Sequence, residues 1–259
     1  KIVNISMIIG LVQARLESTR LPGKVLLKLK NKTVIWHIIN RLKFSKKIDK
    51  IVTIIPNNKK NKLLEDYLLK NSMEVFRGNA ENVLDRFYKA AKYYKAKTIV
   101  RLTADDPFKD PKIIDYAIRK FQKENHDYLS NCSYDGSIRS TYPEGIDVEV
   151  FSMNCLEKIW KKAKKKSEKE HVTPYIFNNR TNFKIKGFYS KVNNSTHRWT
   201  LDYKEDYNFT KKIYNKLYSK HKIFLMKDIL NFLKDNPKIF NLNNKFIRYE
   251  GYLKTKKQD

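Results

Sequence analysis

The run Met7-Ile8-Ile9-Gly10-Leu11-Val12-Gln13 is apolar at almost every position and ends in a polar turn. Apolar residues at successive rather than alternate positions mark a strand buried on both faces, as in a parallel sheet covered by helices. The segments that follow keep this character. Residues 34–44 place Ile35, Ile38, Ile39 and Leu42 on one helical face, and 51–55 is a β-branched run stopped by Pro56-Asn57-Asn58. Residues 63–69 have helical periodicity, 74–76 read as a short strand, and 80–94 read as a helix with Val83, Phe87, Ala90 and Ala91 inward. A strand over 98–102 and a helix over 111–121 complete the series. Strands separated by helices of this length imply right-handed crossovers and an α/β fold, a three-layer αβα sandwich with a mostly parallel sheet. Ligands in such sheets sit beyond the carboxyl ends of the strands, here after Val12, Ile55 and Leu102.

The second half is less regular. Residues 146–151, 183–188 and 199–201 read as strands, and 153–163, 171–178, 207–218 and 226–233 as helices. No internal repeat or Gly/Ser linker divides the chain. Residues 1–252 are therefore expected to form one domain, and 253–259 a polar tail that frays.

A chain of 259 residues with 41% hydrophobic residues, 14 Phe and 16 Tyr can bury a sizeable core. No apolar run approaches the roughly 20 residues of a membrane-spanning helix. The apolar stretch 5–10 is followed by no cleavage pattern and reads as the start of a core strand rather than a leader. Cys132 and Cys155 have neither paired spacing nor a histidine cluster beside them, so no disulfide framework or zinc site is expected, and the compartment is taken as the cytoplasm. The net charge of +28 raises the question of nucleic acid. Its 44 lysines are spread along the chain against only 11 arginines, whereas surfaces that read bases favour the bidentate arginine fork. No specific nucleic-acid partner is expected.

Directly after the first strand comes Gln13-Ala14-Arg15-Leu16-Glu17-Ser18-Thr19-Arg20-Leu21-Pro22-Gly23-Lys24. Three cations and two hydroxyls within ten residues can wrap a triphosphate. Main-chain N–H groups, Ser18 and Thr19 would donate hydrogen bonds, while Arg15 and Lys24 supply charge. The spacing is not that of a Walker A loop. Asp105 ends the strand over 98–102 and precedes Asp106-Pro107, where a carboxylate can either meet a metal beyond the sheet or cap the next helix. Asp202 carries the same two readings.

These segments resemble the CMP-Kdo synthetase and acylneuraminate cytidylyltransferase superfamily, in particular its SpsF-like branch. The resemblance rests on the loop 13–24, Phe76-Arg77-Gly78, Val83-Leu84-Asp85-Arg86-Phe87, Arg101-Leu102-Thr103-Ala104-Asp105-Asp106-Pro107, Pro143-Glu144-Gly145-Ile146-Asp147-Val148-Glu149, Glu170-His171-Val172-Thr173-Pro174 and Arg198-Trp199-Thr200-Leu201-Asp202. It spans roughly 7–215 and departs at Glu17, where many relatives carry a small residue.

The resemblance implies a nucleotide-diphospho-sugar transferase-like fold, with an acceptor-covering and dimerising element near 130–200 and a homodimer. It implies transfer of CMP from CTP to an acidic sugar or related small anionic precursor of surface polysaccharide, with release of pyrophosphate. Asp105 and Asp202 would hold Mg²⁺ and, with Arg15 and Lys24, carry the catalysis. Gln13, Ala14, Arg15, Ser18, Thr19, Arg20, Lys24, Arg77 and Asp85 would bind the nucleotide, with Arg86 a further contact, although Asp85-Arg86 on a helix could equally be surface charge. His171 matches a family position near the acceptor. Glu144 and Asp147 either line the acceptor site or shape a turn, and the planar fork of Arg198 suits an acceptor carboxylate or phosphate. A metal-dependent glycosyltransferase on the same sheet is the alternative, since fold alone does not decide function.

Overall fold

The computed structural model describes residues 7–219 and 223–259; the first two residues of the apolar stretch 5–10 lie outside them. The run that opens the chain becomes β1 (Ile8–Gln13), and its burial is two-sided as expected. Ile8 and Val12 enter one apolar cluster, while Ile9 and Leu11 enter the other. After a short hairpin of β2 (Lys28–Leu29) and β3 (Lys32–Thr33) comes α1 (Val34–Leu42), whose first turn is capped by the Thr33 hydroxyl accepting from Trp36 N at 3.2 Å. The alternation continues through β4 (Lys50–Pro56), α2 (Lys62–Lys70), β5 (Val75–Gly78), α3 (Val83–Tyr93) and β6 (Thr98–Thr103). Next is α4 (Pro111–Lys123), with Asp110 as its cap and Pro111 in its first turn, where the missing N–H costs nothing.

The later elements are β7 (Tyr128–Ser130), β8 (Glu149–Ser152), α5 (Met153–Lys162), α6 (Lys166–His171), α7 (Pro174–Asn178), β9 (Ile185–Gly187), α8 (Lys204–Leu217), α9 (Met226–Lys234), α10 (Pro237–Phe240) and α11 (Glu250–Lys256). The large sheet has the order β5-β4-β1-β6-β8-β7-β9. All neighbours pair in parallel except those of β8, which runs against both β6 and β7. Side chains of α1, α4, α8 and α9 cover one face, and those of α3, α5 and α7 the other. This is the three-layer, mostly parallel sandwich that the sequence implies.

Within and beside the acceptor-covering element expected near 130–200, β7, β8 and β9 extend the main sheet. Three local expectations differ from the structure. The helix expected over 171–178 starts only at Pro174, as α7, and α6 ends at His171, because Val172 takes φ 72° and no helix continues through a left-handed residue. Residues 199–201 form no strand. They are held by one parallel bridge between Glu144 and Arg198, with Trp199 N donating to Glu144 O at 2.8 Å. Gly145 makes that approach possible: it has φ 97°, and a Cβ there would lie 2.7 Å from the Trp199 carbonyl carbon.

The third difference is the expected tail. Its first residues belong to α11 and bury Thr255, and Asp259 accepts from the Ser167 amide at 2.8 Å. The polar composition of 253–259 hid this one inward residue, which continues the buried face begun by Tyr252. Among the described residues no helix is long and apolar enough to cross a membrane.

Phe108, fully buried just past the end of β6, ties the two halves of the chain together. Its ring meets those of Trp199, Phe209, Tyr214 and Phe224 at 5.6–6.2 Å. Phe108→Ala is expected to cost about 3–5 kcal/mol through lost burial and the cavity left behind, measured as the change in unfolding free energy in urea.

Candidate active site

A cavity of about 380 Å³ opens at the carboxyl ends of β1 and β6. The loop 13–24 forms one wall. Ser18 Oγ accepts from Leu21 N at 3.3 Å, and the left-handed Gly23 (φ 68°) turns the chain into the short helical segment that carries Lys24. Glu17, the departure from the family pattern, has a structural task. Its carboxylate accepts from Asn61 Nδ2 at 2.7 Å, while Asn61 Oδ1 accepts from Leu16 N at 2.9 Å, so the loop is bound to the segment after β4.

At the centre of the cavity, Lys24 Nζ donates to Asp105 Oδ2 at 2.9 Å and to Asp202 Oδ1 at 2.8 Å. Burial opposes the charge on Lys24, but the two carboxylates outweigh it and raise the pKa of the ammonium. For Asp105 burial likewise opposes ionisation, and Lys24 overcomes it, holding the carboxyl well below its ordinary range. Asp202 also receives Arg20 Nη2 at 2.8 Å. Asp105 is positioned from both sides: it stands in the turn directly after β6, and its carbonyl accepts from Leu201 N at 2.7 Å, which places the 198–202 segment beside it.

Arg198 lines the cavity but offers no open fork. Its Nε and Nη2 donate to the fully buried Asp206 at 3.0 and 3.1 Å, and its Nη1 donates to Glu144 at 2.9 Å. Where an acceptor carboxylate was expected, its donors hold two carboxylates of its own chain. Asp206 further accepts from the amides of residues 202 and 203, both at 2.9 Å, so this pair aims Asp202. Glu144 therefore lines the cavity and also shapes the turn around Gly145. Burial, reinforced by Asp147 and Asp106, pushes its carboxyl up to about 7 against the pull of Arg198. Asp147 meets Arg248 Nη2 at 2.8 Å.

On the far side His171 reaches Thr255 Oγ1 at 3.3 Å, and Arg15, mostly exposed, approaches Glu170 at 3.7 Å. Gln13, Ala14, Arg15, Ser18, Thr19, Arg20, Lys24, Asp105, Glu144, Asp147, His171, Arg198 and Asp202 thus converge on one cavity. Arg77 and Asp85 do not line it. Arg77 pairs with Glu65 at 3.1 Å, and Asp85 accepts from Trp160 Nε1 at 3.0 Å and pairs with Lys89 at 2.9 Å. Arg86, the third residue of that group, does line the cavity and is held by the carbonyls of Asn79 and Ala80 at 3.0 and 3.1 Å.

Sequence reasoning missed the buried floor. Arg101 on β6 and Glu149 on β8 form an ion pair; Glu149 also accepts from Tyr128 Oη and Thr173 Oγ1, both at 2.6 Å, and Arg101 donates to Gln13 Oε1 at 3.2 Å. Both residues stood inside quoted motifs. A charge at an inward strand position was the signal. Among the described residues no three Asp, Glu, His or Cys side chains gather as a metal cage; the oxygen-rich point is the Asp105–Asp202 pair.

Residues 9–245 match the family described as cytidylyltransferase. The chain belongs to the cytidylyltransferase family. It is a CTP-dependent nucleotidyltransferase, which separates it from glycosyltransferases that share such a sheet. It is 37% identical over 252 residues to the Methanocaldococcus jannaschii protein MJ1063, covering 95% of this chain and 97% of that one. Over 81% of this chain and 87% of the relative it is 34% identical to the spore coat polysaccharide biosynthesis protein SpsF of Bacillus subtilis. A cytidylyltransferase structure from Leptospira borgpetersenii superposes with a TM-score of 0.85 at 34% identity, covering 93% of this chain and 99% of that one.

The site also has a pH signature. Burial is the main cause that lowers His171 to about 4, with Arg101 and Arg15 adding to it. Between pH 6.5 and 4 the unfolded chain takes up a proton that the folded one refuses. The stabilisation from neutral His171 is complete above pH 6.5 and is lost as the pH falls towards 4. His171→Gln should lose less stability than wild type between pH 7 and pH 4.5 in parallel urea titrations. An equal loss would show that the imidazole titrates as it does in the unfolded chain.

Proposed function

We propose that this cytidylyltransferase transfers CMP from CTP to a sugar acceptor that serves as a precursor of surface polysaccharide, an acidic sugar being the first candidate. The observation that carries this reading is the Asp105–Lys24–Asp202 cluster at the mouth of the loop 13–24. The triphosphate would follow Ser18, Thr19, Arg20 and Lys24, with Gln13, Ala14 and Arg86 toward the nucleoside. The acceptor would lie against Glu144, Asp147 and His171. For an anionic acceptor the open cation at the mouth is Arg15 rather than Arg198.

An acceptor oxygen attacks the α-phosphorus as the bond to the bridging oxygen breaks, and pyrophosphate leaves with both electrons of that bond. The proton of the acceptor hydroxyl passes to solvent water. Lys24 and Arg20 offset the charge gathering on the leaving group, and the loop holds the reactants in line.

The donor set suits a divalent metal. Asp105 and Asp202 present oxygen atoms close enough to share one ammonium, and Mg²⁺ usually takes only one or two protein carboxylates, completing its shell with water and phosphate. Such an ion would supply Lewis-acid charge at the α-phosphate. The free, buried thiols of Cys132 and Cys155 are in keeping with work in the cytoplasm. A homodimer is proposed from the family resemblance.

Two measurements test this reading. Calorimetry with Mg²⁺ should find CTP bound more tightly than ATP, GTP or UTP, and equal affinities would leave only a triphosphate site. Asp105→Asn should fold, because its amide oxygen still accepts from Lys24 and Asp202 remains charged. Acceptor-dependent pyrophosphate release should nevertheless fall on the order of 10²-fold or more. Near-normal release would remove Asp105 from the chemistry.

A further inference from the structure

The family match stops at residue 245, yet the cavity does not. Ile247, Tyr249, Glu250, Gly251, Tyr252 and Lys254 line it as well. The far part of this wall is anchored on the acceptor side. Thr255 Oγ1 donates to Glu170 at 2.9 Å, Asp259 accepts from the Ser167 amide at 2.8 Å, and Tyr252 packs its ring 4.6 Å from Tyr134 and 5.5 Å from His171. The near part is anchored on the loop 13–24. Glu250 Oε2 accepts from Arg20 Nη1 at 3.0 Å and from Tyr203 Oη at 2.5 Å, and its other oxygen meets Lys254 at 2.7 Å. The junction between Arg248 and α11 is the left-handed Tyr249, φ 60°, a conformation uncommon for a bulky residue.

Arg20 is the centre of this arrangement. One terminal nitrogen is held by Glu250 and the other by Asp202. Two carboxylates thus occupy the guanidinium edge that would grip two oxygens of a phosphate. A nucleotide entering along the loop meets an arginine already engaged, and no second phosphate-sized anion fits beside Glu250 without mutual repulsion.

We infer that Glu250 is an internal substitute for a phosphate: it holds Arg20 while the site is empty, and the triphosphate displaces it, releasing the start of α11 from the loop. Glu250 is then a positioning residue, acting through Arg20, that couples occupancy of the triphosphate site to the wall on the acceptor side. Nucleotide binds first, and the acceptor enters a site whose C-terminal wall has been loosened. This rests on reading the loop 13–24 as the triphosphate site.

The consequence for binding is specific. Displacing Glu250 reduces apparent nucleotide affinity by the fraction of molecules in which Arg20 is free. Removing only the charge, in Glu250→Gln, should tighten binding by about two- to fivefold, the scale of one partly exposed ion pair. A wall residue with no such role predicts unchanged or weaker binding.

Calorimetry on wild type and Glu250→Gln, with CTP and separately with inorganic tripolyphosphate, reads this directly. Hydrogen exchange across 246–256 supplies the second measurement. Wild type should exchange faster once CTP is bound, and Glu250→Gln should exchange fast without it. If both ligands bind wild type but the variant gains nothing, or exchange ignores CTP, the inference fails while the CTP reading stands. If tripolyphosphate binds and gains from the substitution while CTP shows no advantage over other nucleotides, the inference stands and the base assignment falls. If neither ligand binds, both are overturned.

Discussion

One buried ammonium organises this molecule. Lys24 reaches two carboxylates that lie 81 and 178 residues further along the chain, and so joins the loop after β1, the end of β6 and the segment before α8 at a single point. None of the three groups is stable there alone. A carboxylate lifted partly out of water beside another needs a cation, and a lysine taken out of water needs an anion. Each charge is tolerated because the other two are present. The arrangement also brings two carboxylates close together on one cation, the oxygen pair proposed above for a divalent metal. Stability of the loop and its proposed readiness for phosphate therefore share one cause.

The same logic extends outward in shells of paired charge. Arg198 is neutralised by Asp206 and Glu144, Arg248 by Asp147, Arg101 by Glu149, and Lys109 by Asp106. Arg198, Arg101 and Lys109 line the cavity and each is already matched, whereas Arg86, held by backbone carbonyls, and the mostly exposed Arg15 are the less closely paired cations of its wall. The surplus lysines are distributed over the surface, where solvent and salt screen them. The net charge says little about the site, and the local pairing says a great deal.

How much of this was legible in the sequence follows from how local each cause is. β1, β4 and β6 are continuous apolar runs, and α1, α3 and α4 are amphipathic with a capping residue in front, so the sheet and its layers could be read from neighbouring residues. Loop 13–24 was readable because its charges stand together directly after a buried strand. β7 was missed because three residues are too few for a period, and its place between β8 and β9 depends on pairing across the sheet. The strand expected at 199–201 was a different error. Trp199 and Leu201 are buried as a strand's residues would be, but a glycine-permitted backbone approach at Gly145 immobilises them instead of a ladder.

The site residues divide along the same line. Asp105 and Lys24 carry their signal locally, at a strand end and in a cation-rich loop. Arg77 leaves the cavity because β5, at the sheet edge, presents it to Glu65, and on α3 one residue decides between Asp85, turned to Trp160 and Lys89, and Arg86, which lines the cavity. Arg198 lines the cavity, but its fork is taken up within the chain. Its planar fork is as well suited to an internal carboxylate as to a substrate's, and only the position of Asp206, eight residues later and fully buried, decides between them. Residue type can say that a group binds carboxylates. Which carboxylate it binds is a property of the fold, and here the fold uses its own acids to hold the cations in place before any substrate arrives.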